Sequence, residues 1–327
     1  MLGAAGVGGM VAVQAHLNGL LAHDLGSGLA GAAVAALLSF GSGFVLLCLV
    51  CTLNSRARRG LRRVADAVRG SRLRPWHLVG GAGGAMLVTA QGITVATIGV
   101  ALFTVAVVAG QTSSAMLVDK IGVGPSGRHP VTANRAVGAG LAVVAVVLAV
   151  SDRLGVDNGL APVALLLAAV PMLAGAATAW QQAVNGQVSV VGGPLAAGAI
   201  NFVVGTVILC LFVVAAVSVW GLPSTVPGEW WLYMGGAIGV VFISAAAALV
   251  RFLGVLLFGL CAIAGQVISS LAVDLALSDT HIGALTVVGA GLTLVGVAIA
   301  AIPSRVRKAT GHAEADEGDQ VRSPHLQ

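Results

Sequence analysis

The chain has 327 residues, 57% hydrophobic and only 9% charged, with a formal net charge of +5 and a mean hydropathy of +0.99. Soluble domains are about half apolar and about a quarter charged, so a water-soluble fold could not hide this much apolar surface. The long apolar runs also exclude a β-barrel, whose strands are short and alternating, and leave a helical membrane protein whose backbone polar groups are satisfied within each helix.

A bilayer core of about 30 Å requires about 20 helical residues. Stretches of that kind fall at 3–23, 29–52, 77–97, 98–119 and 134–151, then at 161–188, 194–218, 231–252, 253–276 and 283–303. This predicts ten transmembrane helices, with the third and fourth, and the eighth and ninth, abutting almost without a loop. No basic segment precedes the first stretch, and Gln14, His16, Asn18 and His23 interrupt it, so a cleaved signal peptide is not expected. The 46 glycines suit helices that pack closely in lipid. Cys48, Cys51, Cys210 and Cys261 all lie in apolar runs, and no His or second Cys pair accompanies the Cys48/Cys51 CxxC. They read as buried small residues, with no metal site and no cofactor.

The loop 53–77 carries Arg56, Arg58, Arg59, Arg62, Arg63, Arg69, Arg72 and Arg74, which places it in the cytoplasm by the positive-inside rule. With ten spans, Lys120, Arg128, Arg135, Arg251, Arg305, Arg307, Lys308 and Arg322 share that side, and only Arg153 falls outside. Asp24, Asp152, Asp157, Glu229, Asp274 and Asp279 fall on the outer side. Both termini are therefore expected in the cytoplasm of a multi-pass inner-membrane protein. Leu61, Val64, Ala65 and Val68 recur at helical spacing within the basic loop. The loop is either a topology determinant or a surface helix with its arginines among anionic head groups; neither use requires nucleic acid. The stretch 304–327 is polar and mixed in charge, and reads as a disordered cytoplasmic tail. Trp76 falls at the inner boundary and Trp220, Trp230, Trp231 and Tyr233 at the outer one, as an aromatic belt requires. Trp180 falls inside the sixth span instead, where it lines a pocket or packs against neighbours.

The chain repeats itself. Gln14, Asn18 and Gly19 match Gln181, Asn185 and Gly186, and Ser39, Phe40 and Gly43 match Asn201, Phe202 and Gly205. At a constant offset of 155, Gly80, Gly81, Gly84, Thr89 and Gly99 match Gly235, Gly236, Gly239, Ser244 and Gly254. The same offset relates Phe103, Gly110, Gln111, Ser114 and Asp119 to Phe258, Gly265, Gln266, Ser269 and Asp274. Gly138, Gly140 and Leu141 then match Gly289, Gly291 and Leu292. The units are a first repeat over 1–151 and a second over 152–303. Five spans is an odd number, so the copies enter the membrane from opposite faces, forming the inverted repeat that transporters use for alternating access.

The stretches GGMVAVQAHLNGLLAHDLGSG, ALLSFGSGF, VVAGQTSSAMLVD, QQAVNG and AIAGQVISSLAVD resemble the YdcZ-like branch of the drug/metabolite transporter superfamily over nearly all of 3–303. The resemblance implies that superfamily's EamA-like fold of two five-helix halves and an exporter role. Small multidrug members of the superfamily carry a proton-exchanging glutamate in the first helix; no span here holds Glu, and Gln14 and Asn18 occupy that helix.

Gln14 with Asn18, and Gln181 with Asn185, are four apart, while Gln111 with Ser114, and Gln266 with Ser269, are three apart. Each pair shares a helix face. Amides in hydrocarbon are costly unless turned to a partner or a wet cavity. These eight groups are therefore expected to line one central pathway for a small solute, interhelical hydrogen bonding at about 0.6 kcal/mol each being the other use. Ser39, Asn201, Gln182, Thr89, Ser244 and Trp180 are further pathway candidates, and Asp119, Asp274, His16 and Arg251 are candidates for coupling or gating. No HExxH or Walker A motif occurs, and the GxSG-like stretch 124–127 lies in a charged loop, so an enzyme is not expected. The sequence reads as a secondary exporter of small metabolites or drugs, monomeric or homodimeric. An importer of small polar solutes and a non-transporting scaffold are the other readings.

Overall fold

The computed structural model describes residues 2–26, 28–125, 127–128, 131–154, 161–223, 225–277 and 283–302, except for the side chains of 152–154, 161–165, 244, 246–248 and 250–260. The tail 304–327, Asp279, and the side chains of Ser244 and Arg251 therefore lie outside the described residues.

Among the described residues the fold is all helical. It comprises α1 (Leu2–Asp24), α2 (Leu29–Leu53), α3 (Ser55–Arg69), α4 (Gly81–Ile121), α5 (Ala133–Leu154), α6 (Ala161–Gly192), α7 (Pro194–Trp220), α8 (Gly235–Leu277) and α9 (Ala284–Ala300). Short 3₁₀ turns, Pro75–Gly80 and Trp230–Met234, lead into α4 and α8. Among the described residues four segments are long and apolar enough to cross a membrane, namely Leu29–Leu53, Pro75–Ile121, Ala133–Ser151 and Pro194–Trp220. The α1 helix carries Gln14, His16 and Asn18. These polar groups dilute the apolar character on which such a count rests.

The α4 helix has 41 residues, about 60 Å at 1.5 Å per residue and twice a bilayer core. It is broken at Gly99, whose φ of 79° and ψ of 165° are open to glycine and closed to other residues. The break falls where the third and fourth spans were expected to abut. The α8 helix has 43 residues and exceeds one bilayer crossing by the same measure.

Residues 98–110 of α4 are buried without interruption and form the centre of the largest core cluster with α5, α6, α8 and α9. An apolar helix surrounded on all sides belongs in a core. On α2 and α7 the pattern is the reverse of a soluble protein: Ala32, Ala33, Ala35, Ala196 and Ala197 are buried, while Val45, Leu49, Leu211 and Val214 are exposed. Small residues inward and branched ones outward suit packing in lipid. The expectation that the cysteines are buried is corrected: Cys48 and Cys210 are exposed on these outward faces, and Cys51 and Cys261 are half-buried, all as free thiols.

Contacts between the halves are reciprocal. A Cβ on Gly8 of α1 would lie 1.8 Å from the Ala262 carbonyl oxygen, and one on Gly175, the matching position of α6, would lie 2.0 Å from that of Val107. Gly265 meets the carbonyl of Ala5 at 1.9 Å and Gly110 that of Met172 at 1.8 Å. Gly43 faces the Phe202 ring, and Gly205 faces the Phe40 ring. Phe40 and Phe202, themselves a matched pair, stack with centroids 4.5 Å apart. Each of these contacts has a counterpart between the residues that match it in the sequence.

The basic loop is mostly the helix α3. Asn54 caps it, its side chain accepting from the backbone N–H groups of Arg56 and Ala57. The arginine face stays exposed, and the buried stripe is Ala57, Gly60, Val64 and Ala67, with Leu61 and Val68 half-buried and Ala65 exposed. That stripe does not lie on lipid, as one reading of the sequence expected. It packs against α6 and α7 at their junction, where a Cβ on Gly60 would lie 2.1 Å from the carbonyl oxygen of Gly192. The junction turns at Gly193, with φ of 87°.

Candidate functional site: two amide clusters

The first cluster gathers α1, α2 and α4 under the start of α8. Asn18 Nδ2 donates to Gln91 Oε1 at 2.6 Å, and Gln14 Nε2 donates to the carbonyl of Gly235 at 2.8 Å. Asn18, Ser39 and Gln91 are all 0% exposed. A Cβ on Gly235 would lie 2.3 Å from Asn18 Oδ1 and 2.4 Å from Ser39 Oγ, so only glycine lets α8 sit this close. Gln91 was missed by the repeat argument because its partner position holds Ala246. The available signal was a lone amide in an apolar span.

The second cluster is built from α6 and α7 under the start of α4. Asn201 Oδ1 accepts from Gln181 Nε2 at 2.8 Å and from Asn185 Nδ2 at 2.9 Å. Gly80 faces Asn185 as Gly235 faces Asn18, its absent Cβ being 2.3 Å from Asn185 Oδ1. Gly80 and Gly235 thus let the starts of α4 and α8 close against amide side chains. Gln181 flanks Phe40 across Gly84, and Gln14 flanks Phe202 across Gly239. With Phe40 stacked on Phe202, the order of contact runs Asn18, Gln14, Phe202, Phe40, Gln181, Asn185. An aromatic pair therefore stands between the two amide clusters.

The eight expected amide and hydroxyl groups do not all meet. Gln14, Asn18, Gln181 and Asn185 enter these clusters, joined by Ser39 and Asn201. Ser269 instead faces Gly9 of α1, nine residues and about 13 Å of helix before Asn18. It lines a cleft of about 290 Å³ with Gly6, Gly9, Met10, Val13 and Ile238. Gln266 is buried on the same helix, while Gln111 and Ser114 are half-buried next to Gly110, where α4 crosses α6. No described hydrogen bond ties these four to either cluster. The reason is height: residues three or four apart share a face, but helix crossings decide which depth of that face meets a neighbour. Gln182 is exposed, and Trp180 and Thr89 are half-buried outside both clusters.

The matched carboxylates part company. Asp274 is 3% exposed rather than lying in a loop, and its two oxygens accept the backbone N–H groups of Val100 at 2.8 Å and Ala101 at 2.7 Å. The break at Gly99 frees those donors, and Asp274 caps the new helix start from another helix. Asp119 pairs with Arg135 in a half-buried ion pair. His16 is buried on α1. Among the described residues no group of three or more His, Cys, Asp or Glu could hold a metal ion.

A family model described as "Putative inner membrane exporter, YdcZ" matches residues 1–148 and 166–299. Neither the curated proteins nor the solved structures give a match.

Proposed function

The chain belongs to the YdcZ family of inner-membrane exporters, of the drug/metabolite transporter type, and from that premise we propose that it is a secondary carrier exporting small, weakly charged solutes by alternating access. Ten spans form two inverted repeats, over 1–151 and 152–303, with both termini and α3 in the cytoplasm. The observation that carries this reading is the reciprocal contact between the halves, Gly8 with Ala262 and Gly175 with Val107. Two copies that grip each other in the same way have two arrangements of similar energy, in which either copy adopts the open form. The cargo route runs from one amide cluster to the other, and the Phe40–Phe202 stack is the barrier that parts as the halves exchange. Amides and hydroxyls bind neutral polar groups by hydrogen bonds and offer no counter-charge to an ion. The exposed arginines of α3 lie at the inner head-group level, where anionic lipids attract them.

The test compares metabolites inside and outside cells that lack the protein with cells overproducing either the wild type or Asn18→Ala/Asn185→Ala. A solute that accumulates outside only with the wild type is the expected result. Accumulation inside would reverse the direction, and no difference in any solute would remove the carrier reading.

A further inference from the structure

The two amide clusters occupy matching places but are not chemically equivalent. In the second, one acceptor, Asn201 Oδ1, takes up both amides. In the first, Ser39 stands where Asn201 would be, and its hydroxyl is too short to serve that purpose. Gln91 reaches in from α4 and satisfies half of Asn18. Asn18 Oδ1, Gln91 Nε2 and Ser39 Oγ are left buried without a partner. The imbalance does not depend on how the amides are turned, because pairing one carbonyl with one NH₂ always leaves one carbonyl and one NH₂ over. Buried polar atoms without partners cost about 1–3 kcal/mol each, and such atoms call for an explanation in function.

We infer that the first cluster is the cargo-recognition site and that it binds a neutral group carrying a donor beside an acceptor, such as a carboxamide. A primary amide presents its NH₂ to Asn18 Oδ1 and its carbonyl to Gln91 Nε2 or the Ser39 hydroxyl, completing all three atoms. The cluster contains no ionisable side chain, so a carboxylate or an ammonium ion of the same shape finds no counter-charge and loses its hydration on entry. Gly235 closes the cluster, so bound cargo is released to the outside when the start of α8 moves off α1 and α2. The second cluster, whose half-buried amides share Asn201 Oδ1 and leave no atom both buried and unpartnered, is the lock on the other side. This inference rests on the carrier reading for its role in transport, but the binding it describes is measured separately.

The experiment measures the melting midpoint of the purified full-length protein in detergent with benzamide, benzoate, benzylammonium or toluene, which share a ring and differ in the recognised group. Benzamide alone is expected to raise the midpoint of the wild type. Ser39→Asn/Gln91→Ala gives the first half the residue types that the sequence carries at the matching positions of the second, and is expected to weaken benzamide binding about tenfold. If that variant does not fold, the near-isosteric Gln91→Met replaces it, with the same expectation. Equal shifts with benzoate or benzylammonium, no shift with benzamide, or an undiminished shift in the variant would overturn the inference. Benzamide binding without export of any solute would sink the carrier reading and leave the site standing; export with no benzamide selectivity would do the reverse.

Discussion

Asp119 and Asp274 match at the sequence offset of 155, and their surroundings give them different weights. Asp274 satisfies two backbone donors that the break at Gly99 leaves without helical partners, and losing a cap of this kind costs about 0.5–2 kcal/mol. Asp119 forms a half-exposed ion pair with Arg135, worth about 0–1 kcal/mol after solvent screening. Thermal unfolding in detergent should therefore show Asp274→Ala melting clearly below Asp119→Ala. Equal midpoints would mean that the buried cap contributes no more than a surface pair. The Phe40–Phe202 stack carries a similar expectation: each Phe→Leu change loses the ring pair, about 0.5–1.5 kcal/mol beyond burial. The double variant then loses less than the sum of the singles by about that amount. Additive losses would show that the rings do not act as a unit.

Helices come together here through glycines that accept a neighbour's carbonyl at a distance no side chain tolerates. Adding a methyl at Gly8 or Gly175, where a Cβ would meet a carbonyl oxygen at 1.8 or 2.0 Å, costs about 1–3 kcal/mol in overpacking. Gly8→Ala and Gly175→Ala should lower the melting midpoint to a similar degree because their contacts are images of each other. Gly6, whose Cβ would meet nothing within 4 Å, should accept Ala without loss. At this scale much was legible in the sequence. Hydropathy marked where α1, α2, α5, α6, α7 and α9 begin to within a few residues, and the boundary between the third and fourth spans, set at 97/98, falls beside the break in α4 at Gly99. The docking of α3 was not legible, because its stripe of Ala57, Gly60, Val64 and Ala67 is too small to distinguish lipid from a neighbouring helix. Gly60→Leu tests it: displacement from Gly192 should expose α3 to added protease while α4–α9 stay intact. Unchanged resistance would contradict the packing.

Across the whole molecule, the sequence identified Gln14, Asn18, Gln181 and Asn185 as a symmetric set, and the structure places them in two clusters on either side of an aromatic pair. What sequence symmetry could not supply was the asymmetry. Gln91 has no repeat partner, and Ser39 and Asn201 look interchangeable until Asn201 is seen to accept from both its neighbours and Ser39 from neither. Depth was equally hidden, because spacing along a helix does not reveal where another helix crosses it, and so Gln111, Ser114, Gln266 and Ser269 fell away from the clusters. The inverted halves and their exchange remain the central claim, and side-specific cysteine labelling tests it most directly. With the four native cysteines replaced by Ala, Cys introduced at 18 and at 185 should react with impermeant thiol reagents from opposite faces of the membrane, position 18 from outside and 185 from inside. Labelling either one should protect the other, since the two ends open in turn. Reaction of both from the same face, or full labelling of both in one molecule, would contradict an inverted carrier that alternates.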